Sequence, residues 1–248
     1  MIEVRDLKKS FGTTRVLDDV SLEVRTGESI AIIGRSGGGK SVLLKHLIGL
    51  LQPEAGQVLI DLQPIVGMNE RQLLKLRRKF GMLFQSAALF DSLTVAENIS
   101  FVLRREGKLT LVEIDQKVEE ILAMVDLSGT GDVKPAELSG GMRKRVGLAR
   151  AIVYEPEIVL YDEPTTGLDP VVADSIDRLI LRVCERLKVT TVVVTHDMRS
   201  ARRVGQRILM LHGKKIYAAG TADEIFESKD PIVRRFIDGV AEAKEDFF

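Results

Sequence analysis

One run of residues, Gly34-Arg35-Ser36-Gly37-Gly38-Gly39-Lys40-Ser41, combines glycines with a lysine and a hydroxyl. The pattern is glycine, four residues, then Gly-Lys-Ser, which spells a phosphate-binding loop. Glycines let backbone N–H groups turn inward and approach phosphate oxygens. A helix starting at the end of the loop adds the positive end of its dipole. In such a loop Lys40 reaches the β- and γ-phosphates of a nucleotide and the Ser41 hydroxyl binds Mg²⁺.

Two carboxylates and a histidine extend this chemistry. Val159-Leu160-Tyr161 runs apolar into Asp162-Glu163. An acid at the end of a buried strand holds Mg²⁺ beside a phosphate loop, through water or Ser41, and Asp162 takes that part. Glu163, one residue on, can polarise an attacking water. Taken alone, Asp162-Glu163-Pro164 reads equally as a solvated turn; the phosphate loop favours the catalytic reading. His196 follows Val194-Thr195, at the sheet edge where ligands bind. It can meet a γ-phosphate and hold Glu163 and water; the plainer alternative is a histidine at a helix start capped by Asp197. His46 and His212 read as structural or solvated.

These residues need a scaffold. Ile2, Val4 and Leu7, then Val16, Val20, Leu22 and Val24, predict antiparallel strands. Residues 29–33 form a continuous apolar run, a buried strand entering the loop. A helix is predicted over 41–51, a strand over 56–61, a basic helix over 69–79 and a strand over 80–85. From 94 to 150 the sequence turns mostly helical, an inserted lobe. Strands at 157–161 and 190–195 enclose a helix at 172–187, which implies a right-handed crossover and a parallel sheet. Runs at 208–211 and 215–218 flank His212-Gly213, a hairpin signal. The tail from Pro231 is helical and then charged; Ile232, Val233, Phe236, Ile237 and Val240 have helical spacing, for a partner or for the chain's own core.

Composition narrows the classes. The 248 residues carry 36 basic and 36 acidic side chains, which argues against a dedicated nucleic-acid binder. Cys184 is the one cysteine, so no internal disulfide forms and a reducing compartment fits. No apolar run approaches the roughly 20 residues of a membrane-spanning helix. No signal peptide is read at the start. A membrane role is expected to come through a partner.

At this point the residues resemble the ATP-binding subunits of ABC transporters. Leu138-Ser139-Gly140-Gly141-Met142 is similar to the family signature, Gln85 to its Q-loop glutamine and Gly167-Leu168-Asp169-Pro170 to its D-loop. His196 resembles the H-loop histidine, and Phe11 stands where the family has an adenine-stacking aromatic. The resemblance covers nearly the whole chain. It implies an α/β P-loop NTPase core with an antiparallel β subdomain and an inserted α-helical subdomain. A single ABC ATPase domain then spans 1–248. Within it, 1–85 and 151–220 are a RecA-like core with the β subdomain, 86–150 the helical subdomain and 221–248 a C-terminal tail. ATP and Mg²⁺ are the implied cofactors, with Gln85 joining Ser41 and Asp162 at the metal. Two copies would pack head to tail, so that Ser139, Gly140 and Gly141 of one face the phosphate loop of the other. Asp169 would communicate across that interface. The usual signature ends in glutamine; a Met142 thioether cannot copy its hydrogen bonds.

The stretch from Gln85-Ser86-Ala87-Ala88-Leu89-Phe90 to Glu97-Asn98 is similar to one branch, the ATPases of MCE-type lipid transporters, including the maintenance-of-lipid-asymmetry system. Met142, the following Arg143-Lys144-Arg145 and the tail from Pro231 resemble it too. That branch implies a multi-span permease moving phospholipid or a related lipid, an MCE protein, sometimes a STAS-domain protein, and a place on the cytoplasmic face of the inner membrane. Phe84, Ala87, Ala88, Leu89 and Phe90 read either as a docking patch or as a locally buried loop. Lys8, Lys9 and the basic residues of 71–79 read as solvated faces. The rival within transport is the ATPase of a polar-solute importer. Non-transport ABC ATPases usually carry paired units, a coiled-coil insertion or a basic arm, none of which is present, and a P-loop kinase leaves the signature unexplained.

Overall fold

The structure, a computed structural model, describes residues 1–240. Two sheets form. β1 (Ile2–Phe11), β2 (Thr14–Val24), β4 (Ala55–Ile60) and β5 (Gln63–Pro64) pair antiparallel in the order β2-β1-β4-β5. Ile2 and Val4 share one face of β1, and Leu7 lies at odd spacing from them. A register shift between Val4 and Leu7 returns Leu7 to the buried face, as a bulge does.

The second sheet holds β3 (Ser29–Ile33), β6 (Phe80–Leu83), β7 (Ile158–Asp162), β8 (Thr190–Thr195), β9 (Arg207–His212) and β10 (Lys215–Thr221). Its order is β10-β9-β3-β8-β7-β6, parallel throughout except for β10 against β9. Every residue of β3, β7 and β8 is buried, as central strands covered on both faces must be. The pleat sends alternate side chains to separate cores. Ile30, Ile32, Leu160, Val192 and Val194 meet the antiparallel sheet and α1 (Lys40–Leu47). Val159, Tyr161 and Val193 meet α6 (Pro170–Leu187) and the helical lobe. In α1, Leu43, Leu44 and Leu47 are fully buried; each contributes about 1.5–3 kcal/mol.

The remaining helices are α2 (Glu70–Arg77), α3 (Val95–Glu106), α4 (Leu111–Met124), α5 (Gly140–Ile152), α7 (Met198–Val204), α8 (Ala222–Phe226) and α9 (Pro231–Asp238). Thr94 with Glu97 and Thr110 with Glu113 build reciprocal capping boxes at the starts of α3 and α4. Those helices and α5 form the lobe expected between 94 and 150.

Several expectations are corrected. α1 stops at Leu47, not at 51. Gly49 N–H bonds the His46 carbonyl and Leu50 N–H reaches back to that of Lys45, a Schellman ending with glycine at its turning point. The strand over 80–85 ends at Leu83, freeing Phe84 and Gln85 for a loop. α6 starts two residues early because Asp169 caps it and Pro170 fits its first turn. The hairpin turn is Gly213-Lys214, not His212-Gly213: both take positive φ, 56° and 69°, as a two-residue primed turn requires. Of the two readings open for His46, structural or solvated, burial favours the structural one. Within the apolar patch Ala87 faces the core, while Ala88 and Phe90 are exposed. The helix after Pro231 is present; the charged end of the tail lies outside the described residues.

Candidate nucleotide-binding site

The phosphate loop links the buried end of β3 to α1. Gly39 sits at φ 100°, and a Cβ there would lie 2.9 Å from the Leu17 side chain. Glycine is therefore required where the loop passes under β2. Lys40, the first residue of α1, is buried, and its Nζ donates to the Gly34 and Arg35 carbonyls at 2.8 and 3.0 Å.

β7 brings the acids to the same place. Ser41 Oγ donates to Asp162 Oδ1 at 2.7 Å. Burial pushes the Asp162 carboxyl above the usual aspartate range; the Ser41 hydrogen bond opposes this and the Glu163 charge adds to it. These are hard oxygen donors, and Mg²⁺ takes one or two such protein ligands together with phosphate oxygens. The Asp-Glu turn is not solvated: Asp162 and Glu163 are each 7 % exposed.

Glu163 occupies the left-handed region at φ 49°, a costly conformation for a residue with a side chain. Its carboxylate is gripped from three sides. Oε1 lies 3.2 Å from Lys40 Nζ, and Oε2 accepts from Thr166 Oγ1 at 3.1 Å and His196 Nδ1–H at 2.8 Å. His196 is thus both readings at once: it engages Glu163 while Asp197 caps α7.

A cleft of about 300 Å³ opens between these groups, lined by Ser36, Gly37, Gly39, Lys40, Ser41, Gln85, Glu163, Thr166 and His196. It offers N–H donors and an ammonium to phosphates, oxygen ligands to a cation, and a carboxylate positioned by histidine to a water. Two residues that shape it are not among the expected site residues. Thr166 carried one signal, its place three residues after Glu163. Lys144, behind the cleft, stands in the Arg143-Lys144-Arg145 run that resembles one branch of the family, with nothing in the sequence to give it a site role: its Nζ donates to the Gln85 carbonyl at 2.6 Å and the Glu163 carbonyl at 3.2 Å. Burial pulls its pKa below the usual lysine value, against the nearby Asp162 and Glu163 charges.

Other expected site residues stand apart. Ser139 caps α5, its Oγ accepting from Met142 N–H at 3.2 Å. Gly140 and Gly141 face Leu168 and Val172. Asp169 Oδ1 accepts from Val171 and Val172 N–H at 3.0 Å. None of these lines the cleft. Phe11 is exposed at the end of β1, with Lys9 Nζ 5.5 Å from its ring centre.

Fold and site together define a P-loop nucleoside triphosphatase. A family model described as ABC transporter matches residues 17–166, and the chain belongs to that family, as an ABC-type ATPase subunit. It is 44% identical over 238 residues to a probable ribonucleotide transport ATP-binding protein, mkl, of Mycobacterium leprae, covering 96% of this chain and 69% of that one. It is 38% identical over 247 residues to the intermembrane phospholipid transport system ATP-binding protein MlaF of Haemophilus influenzae, covering 100% and 94%. It is also 38% identical to the methionine import ATP-binding protein MetN of Clostridium tetani, covering 96% and 74%. Among solved structures, a dimeric ATP-binding cassette in a post-hydrolysis state with ADP and Pi matches at TM-score 0.81 and 33% identity, covering 90% and 99%.

Proposed function

We propose that the chain powers a membrane transporter of phospholipid or a related lipid, with MCE-type partners, from the cytoplasmic face of the inner membrane. The observation that carries the ATPase part is the convergence of Lys40, Ser41, Asp162, Glu163 and His196 on one cleft. ATP lies with its phosphates on Gly34, Arg35, Ser36, Gly37, Gly38, Gly39 and Lys40, and its adenine on Phe11. Ser41, Asp162 and Gln85 would hold Mg²⁺, which would neutralise phosphate charge. Glu163 is the base, aimed by His196 and Lys40. Ser139, Gly140 and Gly141 of a second copy close the site with helix N-terminal donors, and Asp169 lies at that interface. The lone chain keeps these groups apart, and the similar solved cassette is dimeric. The core of 1–85 and 151–220 binds nucleotide, and the helical subdomain of 86–150 carries the signature. No helix among the described residues is long and apolar enough to cross a membrane, so a permease supplies the path.

Similarity to MlaF over the whole chain favours lipid; similarity to MetN keeps the solute importer as the second reading. Glu163→Gln should lower ATP hydrolysis by about 10²–10⁴-fold while nucleotide binding persists; a fully active variant removes Glu163 from the base role. For the cargo, the tagged chain is recovered from gently solubilised membranes and its companions are identified by mass spectrometry. An MCE protein with a lipid-type permease is expected. A solute permease with a periplasmic binding protein would overturn the lipid assignment and leave the ATPase intact.

A further inference from the structure

Lys144 lies one turn into α5, the helix whose first residues face the second copy's nucleotide in the proposed dimer. Its side chain points the other way, into its own chain. It is only 5 % exposed. Its Nζ bridges the backbone carbonyls of Gln85, on the loop after β6, and Glu163, at the turn after β7. One ammonium from a third element therefore ties together the two loops that carry the metal-facing glutamine and the base.

Packing alone does not call for lysine here. Neighbouring positions of α5 and the loop, Val146 and Ala87, are apolar core residues. Burying an ammonium is costly unless its protons are satisfied. A methionine would fill the space without that cost, so the donors are what the position supplies. Charge-assisted bonds to two carbonyls also resist displacement more than neutral ones do.

We propose that Lys144 is a positioning residue that couples the two ATP sites of the dimer. It holds Gln85 and Glu163 of its own site in register with the signature end of α5, which touches the other nucleotide. Any movement of α5 that seats the signature is passed through Lys144 to both carbonyls. The proposal rests on the assignment of two ATP sites shared between two copies.

The test compares Lys144→Met and Lys144→Arg with the unaltered full-length chain and with Glu163→Gln. The measurements are kcat and KM for ATP, equilibrium ATP binding and Tm. Lys144→Met should bind ATP with nearly unchanged affinity and lose about 10²-fold in kcat, the scale of a misplaced reacting group. Arginine also donates to two carbonyls and should recover most of the rate. In mixed dimers with one Lys144→Met copy, total hydrolysis should fall well below half. A kcat for Lys144→Met within about twofold of normal would overturn the proposal. So would a joint fall of Tm, binding and kcat that arginine does not repair, which marks packing only. Mixed dimers at half activity would overturn the coupling. If the unaltered chain itself fails to hydrolyse ATP, the ATP-site assignment falls and takes this inference with it. With an active unaltered chain and an inactive Glu163→Gln, the ATP site stands, and the Lys144 variants then test the coupling alone.

Discussion

Asp177 shows how a single buried carboxyl sets a pH dependence away from the catalytic cleft. It sits on α6 at 3 % exposure, and its Oδ1 accepts from Ser200 Oγ on α7 at 2.6 Å. Burial pushes its pKa from the ordinary 3.8 to about 6; the Ser200 bond opposes this and the Asp197 charge adds to it. A raised acid binds its proton more tightly in the folded state than in the unfolded chain. Its stabilising contribution is therefore complete below the unfolded pKa of about 4 and is lost as pH rises through about 6. Asparagine keeps the acceptor for Ser200 and carries no charge. Asp177→Asn should be more stable than the natural chain at pH 8, by about 1–3 kcal/mol. That margin should shrink as pH falls below 6 and vanish near 4. Denaturant midpoints at pH 4, 6 and 8 decide it; a variant no more stable at pH 8 than the parent refutes the assignment.

The signature glycines carry a second demand at the scale of elements. A Cβ on Gly141 would stand 2.6 Å from Val172 Cγ1, so α5 approaches α6 more closely than alanine permits. Gly141→Ala should cost about 1–3 kcal/mol through overpacking alone, visible as a lower Tm without nucleotide. Adding Val172→Ala removes the colliding methyl, so the double variant should be less destabilised than the sum of the two single ones. Simple additivity would mean that the glycine answers only to the ligand. This packing was illegible in the sequence, because it depends on which helices meet. What was legible followed local rules. The phosphate loop was spelled out by the glycines and Lys40, and the buried strands by their apolar runs. Asp162, Glu163 and His196 were placed because each ends such a run. Helix ends are less legible: apolar periodicity carries α1 to 51 across Gly49, whereas its ending depends on backbone bonds from Gly49 and Leu50 to His46 and Lys45. The bridging role of Lys144 is illegible for the same reason as the packing of Gly141, since its partners lie 59 and 19 residues away.

The loop after β6 runs from Gln85, at the cleft, to Phe90, within six residues. Its far end borders a groove of about 400 Å³ lined by Phe84, Ala88, Phe90, Phe101, Arg77 and Arg150, among others. Phe90 is 44 % exposed, with its ring 4.9 Å from that of Phe101 and the Arg150 guanidinium 5.9 Å away. Arg150 also donates to the Ala87 and Ala88 carbonyls, which fixes the loop from beneath. An apolar groove rimmed by arginines suits an amphipathic segment of a permease, with apolar anchors inside and acids at the edge. Because Phe90 is half in water, replacing it should spare the fold. Phe90→Asp places a carboxylate where a docked segment would bury apolar surface, and an unpaired charge there is costly. The variant should keep its Tm and its ATP binding, yet fail to retain the permease on affinity purification from membranes. If the permease is recovered in normal amount with Phe90→Asp, the groove is not the docking surface.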